Sequence, residues 1–83
     1  MWMTNPDALV SDLEHELVVM HAPSGEMFSL SASGRAAWQA LPSDLAGVSA
    51  ALITLGAAPE QARHDAETWL AEMSAAGLIL RRE

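Results

Sequence analysis

Three histidines, eleven acidic residues and no cysteine are the groups from which this chain could build a reactive site. His15 falls in an expected turn, His21 at an expected strand end and His64 on an expected helix. No two stand at the i, i+4 spacing that turns one helix face into a pair of zinc ligands, and there is no thiolate to help. Neither a metal nor a cofactor is therefore expected. Serine and aspartate are present, but no Gly-x-Ser-x-Gly elbow exposes a nucleophile, and 83 residues leave little room for a catalytic cleft. A glycine-rich phosphate loop is missing too. Asp65, Glu67 and Glu72 read as the solvated face of a helix, with Arg63 placed four residues before Glu67 for a weak pair. Composition leaves a Ser–His–Asp site open, but no spacing in the sequence marks one.

Size and charge narrow what it could bind. The chain is one small domain with half its residues hydrophobic, a globular composition. Its formal charge is −7, it has no lysine, and Arg81-Arg82 is its only basic cluster. Phosphate backbones and anionic membranes repel such a surface, so neither nucleic acid nor membrane is an expected partner. The start "MWMTNPDALV" has no basic n-region and no long apolar run, so it does not read as a signal peptide. No stretch approaches the ~20 apolar residues of a membrane helix. The expected location is the cytoplasm.

The elements follow from local pattern. Residues 1 to 7 read as a loose lead-in with Asn5-Pro6-Asp7 as punctuation, and Trp2 within it carries little information. Ala8 to Asp12 can be a short strand. Glu16 to His21 is the clearest strand, apolar and β-branched at its centre. Ala22-Pro23-Ser24-Gly25-Glu26 is a turn, and Met27-Phe28-Ser29-Leu30 a third strand, completing an antiparallel meander. Ser31 suits a helix N-cap. The first helix carries Gly34, Ala37, Trp38 and Leu41 on one face until Pro42 stops it. Ser43 or Asp44 caps a second helix with Leu45, Val48, Leu52 and Leu55 on one face, ended by Gly56. The third helix starts at Pro59 and carries Ala62, Ala66, Trp69, Leu70, Met73 and Ala76 up to Gly77. Leu78-Ile79-Leu80 can fold back as a short strand or strap. The order β-β-β-α-α-α gives an α+β, winged helix-turn-helix-like fold in one domain over residues 1–83.

The third strand poses the question of function. It is an edge, uncharged from Met27 to Leu30, and lacks the lysine or proline that guards an edge against added strands. Such an edge is covered by the protein's own C-terminal strap or last helix, sealed in a homodimer, or left for a peptide that adds a fourth strand. Phe28 and Leu30 share one side of it, expected to face the helices; Met27 and Ser29 point the other way. Trp38 reads as core. Trp69 stands at the rim of its stripe, where a large ring serves either core or groove.

The pattern "HAPSGEMFSLSASGRAAWQAL", followed near the C-terminus by "ETWLAEMSAAGLIL", resembles the PqqD-like family of peptide-binding domains, the recognition elements of pathways that modify ribosomally made peptides. Ser24 to Ser31 matches the family's strand-turn-strand "tGxxfxLN", with Ser31 in place of its asparagine. Gly34 to Trp38 matches the small-x-x-apolar-Trp segment. Asp65-Ala66, Trp69-Leu70, Met73 and Gly77-Leu78-Ile79 match its ending, and Leu41-Pro42-Ser43-Asp44 replaces the usual turn before the second helix. The resemblance runs from about Ala8 to Leu80 and rests on order and spacing. It implies a domain that is not an enzyme. It implies binding of a precursor's N-terminal leader, antiparallel to the third strand, in a groove shared with the third helix. The implied contacts are Met27, Phe28, Ser29 and Leu30 through their backbone, and Asp65, Ala66, Trp69, Leu70 and Met73 through their side chains. The implied recipients are a leader peptidase and cyclase of lasso-peptide type; the alternatives are a radical SAM maturase of a PQQ-like pathway or, from another class, a winged-helix DNA-binding regulator.

Overall fold

Three short strands supply the frame on which the site is built. The computed structural model describes residues 1–14 and 16–82; the turn expected at His15 and the tail residue Glu83 lie outside the described residues. Strands β2 (Ala8–Asp12), β3 (Leu17–His21) and β4 (Glu26–Leu30) form an antiparallel meander in the order β2-β3-β4. The β3–β4 turn is made by Ala22 to Gly25. Gly25 has φ +77°, a left-handed conformation that costs glycine little, and its N–H donates to the His21 carbonyl at 2.8 Å. The helices α1 (Ala32–Ala40), α2 (Leu45–Thr54) and α3 (Pro59–Ala75) follow. Asp44, not Ser43, caps α2, its carboxylate accepting from the Gly47 N–H at 2.9 Å. Ser31 occupies the N-cap of α1 with extended backbone but makes no side-chain cap bond.

The core lies where the inner face of the meander meets the helical stripes. Leu17, Val19 and Leu30 pack with Ala37, Trp38, Val48, Leu52, Ala62, Ala66, Leu70 and Met73. Val19 and Val48 are fully buried, each contributing about 1.5–3 kcal/mol over an exposed position. Leu55, expected on the buried face of α2, is half exposed instead. Arg63 and Glu67 pair at 3.2 Å as expected.

One expectation is corrected at the chain ends. The lead-in is not loose: Trp2–Thr4 forms strand β1, antiparallel to β5 (Ile79–Arg81) in a separate two-stranded sheet. Main-chain bonds also tie Trp2 to Ser43, and Arg81 lies 5.7 Å from the Trp2 ring centroid. The physical reason is length: three residues show no period, and the partner sits at the other end of the chain. The geometry that delivers the partner is a Schellman motif ending α3. Gly77 has φ +76°, Leu78 N–H donates to Met73 and Gly77 N–H to Ser74, each at 3.0 Å. The C-terminal segment is thus spent on β1 and does not cover β4.

Candidate functional site

Strand β4 has a partner on one side only, and the hydrogen-bond phase says which of its groups are open. Ala22 N–H donates to the Asp7 carbonyl, and Leu13 N–H to the Glu16 carbonyl. Even-numbered residues of this stretch therefore point their backbone toward β2, and odd ones toward β4, because bonded and non-bonded pairs alternate in an antiparallel ladder. The register sets Leu17 opposite Leu30, Val19 opposite Phe28 and His21 opposite Glu26. So the N–H and C=O of Glu26, Phe28 and Leu30 are engaged with β3. Those of Met27 and Ser29 face outward and have no protein partner among the described residues. The expected four-residue backbone contact thus reduces to two residues, each offering a donor and an acceptor, which is what an added antiparallel strand uses.

Side chains alternate in the same rhythm. Leu30 is buried, Phe28 is half-buried against the core, and Met27 and Ser29 are exposed on the outer face. On that face the Ser29 hydroxyl donates to the Glu16 carboxylate.

Beyond the Leu30 end of β4 lies a cavity of about 290 Å³, lined by Ser33, Gly34, Ala37, Leu52, Leu55, Ala57, Asp65 and Trp69. It exists because α1 presents small residues where α2 and α3 would otherwise close. Gly34 links it to the strand: a methyl there would lie 3.2 Å from Leu30 Cβ and 3.6 Å from Trp69 Nε1. The Trp69 ring is half-buried, and its indole N–H is buried without an acceptor among the described residues. A buried donor normally finds a partner, so a cavity wall carrying an orphan one suits a ligand that brings an oxygen.

Of the five α3 residues expected at the groove, Asp65 and Trp69 border this cavity. Ala66, Leu70 and Met73 are instead buried in the core at 0%, 3% and 5% exposure, and their side chains are not available to a ligand. The reason is that α3 packs on α2 and on β5 through the centre of its stripe, leaving only the flank to the cavity. The residues missed are Ser33, Gly34, Ala37, Leu52, Leu55 and Ala57. The run of small residues opening α1 marks Ser33 and Gly34 as a place of close approach, but no local pattern marks Leu52, Leu55 or Ala57 as cavity wall. Among the described residues no group of His, Asp and Glu is arranged to hold a metal, and no helix is long and apolar enough to cross a membrane.

The described residues form a small winged-helix-like domain in which the vacant edge of β4 lies beside an apolar cavity, a geometry that can receive an added strand. Its family follows from comparison with known proteins. The model of the family described as coenzyme PQQ synthesis protein D (PqqD) matches residues 16–79, and the chain belongs to that family. No curated protein matches. Two solved structures share the fold. One is TbiB1 in complex with the TbiA(beta) leader peptide, with TM-score 0.86 and 17% identity, covering 98% of both chains. The other is a lasso peptide synthetase B1 complexed with the leader peptide, with TM-score 0.83 and 19% identity, covering 96% of this chain and 98% of that one.

Proposed function

We propose that this protein binds the N-terminal leader of a ribosomally synthesised precursor peptide and presents it to separate enzymes, performing no chemistry itself. The carrying observation is the pair of outward-facing residues, Met27 and Ser29, on an otherwise satisfied strand. A leader laid antiparallel along β4 gains main-chain bonds there. Its N-terminal portion then runs past Leu30 toward Gly34, where apolar side chains enter the cavity against Leu52, Leu55 and Trp69. Main-chain bonds supply affinity and the cavity supplies choice. The resemblance to two proteins holding leader peptides supports the same reading.

The recipients we favour are a leader peptidase and a cyclase of lasso type, in the cytoplasm, because one similar structure is a lasso peptide synthetase component. A chaperone role for a radical SAM maturase is the second reading, favoured by the family's description as a coenzyme PQQ synthesis protein. DNA regulation fits poorly: α3 carries one arginine, already paired with Glu67, against Glu60, Asp65, Glu67 and Glu72.

The test is fluorescence polarisation with the labelled N-terminal segment of a candidate precursor peptide. Saturable binding by a monomer, lost when the β4 edge is blocked, is the expected result. Absence of binding, or gel filtration showing a stable dimer that seals the edge, overturns the proposal.

A further inference from the structure

The outer face of the meander continues the pattern that an added strand would meet. In register, Leu9, Met20 and Met27 lie directly across from one another, and so do Ser11, Val18 and Ser29. The first row is apolar and open, with Leu9 53% and Met27 66% exposed. The second ends at Ser29, whose hydroxyl is bonded to Glu16. Arg35, the cation at this end of the sheet, is already engaged: it meets Asp12 at 2.7 Å and the Leu13 carbonyl at 3.0 Å. Among the described residues no cation pairs with Glu16, and the chain as a whole carries −7.

We propose that this outer face is a second reading surface for the bound peptide: it selects Lys or Arg opposite Ser29, held by Glu16, and a large apolar side chain opposite Met27. The inference rests on strand addition at β4. Directly opposed residues on one sheet face lie about 5 Å apart at Cβ, so a long cationic side chain beside Ser29 reaches the Glu16 carboxylate. The apolar residue beside Met27 extends the Leu9–Met20–Met27 row to a fourth member. Because the added strand is antiparallel, the cation precedes the apolar residue by two positions, and the residue between them points inward beside Phe28. The occupant is therefore a peptide containing cation-x-apolar, and the face admits no equivalent acidic peptide.

A displayed library of random 12-residue peptides, panned against the wild-type protein and against Glu16→Lys, tests this. The wild type should enrich Lys or Arg two positions before a large apolar residue, and Glu16→Lys should enrich Asp or Glu there instead. For single synthetic peptides, exchanging the cation for Glu should weaken wild-type binding about two- to fivefold, the range of exposed ion pairs, and strengthen binding to Glu16→Lys. Identical selections by the two proteins overturn the proposal. If those common peptides still lose affinity to Met27→Pro, strand addition itself stands. If Met27→Pro binds them unchanged, or no peptide is enriched, strand addition falls and this inference with it. Circular dichroism on each variant confirms that it is folded.

Discussion

Proline at position 27 separates the fold from its function. The Met27 N–H points away from β3, and the Met27 side chain is 66% exposed. Replacing it with proline removes no ladder bond, and edge positions whose N–H faces solvent are where strands tolerate proline. Stability should move by less than about 1 kcal/mol, which is roughly 4–8 °C in Tm for a domain of this size. Phe28→Pro is the matched control. Its N–H is bonded to β3 by the register, so the Val19 carbonyl is left unpaired at a cost of about 1–3 kcal/mol before any loss of ring packing. In the complex the order reverses. Met27→Pro takes the donor from a peptide carbonyl that is then trapped without a partner, again about 1–3 kcal/mol, or some 5- to 150-fold in Kd. Thermal melts and fluorescence polarisation on the same samples give both numbers. If Met27→Pro unfolds the protein, the hydrogen-bond phase assigned to β4 is wrong. If it folds and binds like the wild type, the peptide does not add to this edge.

Trp69→Phe keeps an aromatic ring but removes the pyrrole part of the indole together with its orphan donor. Folding stability should hardly change in a melt, while peptide affinity should fall about two- to tenfold if the peptide supplies the missing acceptor; unchanged affinity would assign the ring to packing alone. Leu70→Ala removes a side chain only 3% exposed, in a fully packed part of α3. It should cost about 2–5 kcal/mol in urea unfolding, and a cost under 1 kcal/mol would mean that Leu70 faces a groove after all.

Apolar pattern together with proline and glycine punctuation made much of the molecule legible. The β3 pattern, the turn at Pro23–Gly25, the α3 start at Pro59 and its stop at Gly77 all lie where local chemistry puts them. What stayed hidden depends on distant contacts. Strand β1 is only three residues and acquires its form from β5. Likewise, a stripe of apolar residues on α3 does not say which part of it meets protein and which meets open space. The sequence therefore could not separate Trp69 and Asp65, at the cavity, from Ala66, Leu70 and Met73, in the core. Ser33, Leu52 and Ala57 line the cavity only because three helices leave a gap there, and no single segment encodes a gap. The distinction between Met27 and Phe28 required the register, which one-residue shifts of the strand would invert.

Backbone amide exchange, resolved by NMR in the free protein and with a bound peptide, addresses the vacant edge most directly. Without peptide, the Phe28 and Leu30 amides should be protected and those of Met27 and Ser29 should exchange as exposed groups. With peptide, Met27 and Ser29 should slow sharply while Phe28 and Leu30 change little. Protection of Met27 and Ser29 before any peptide is added, or no slowing once it is bound, contradicts the claim that β4 is an open half of a ladder.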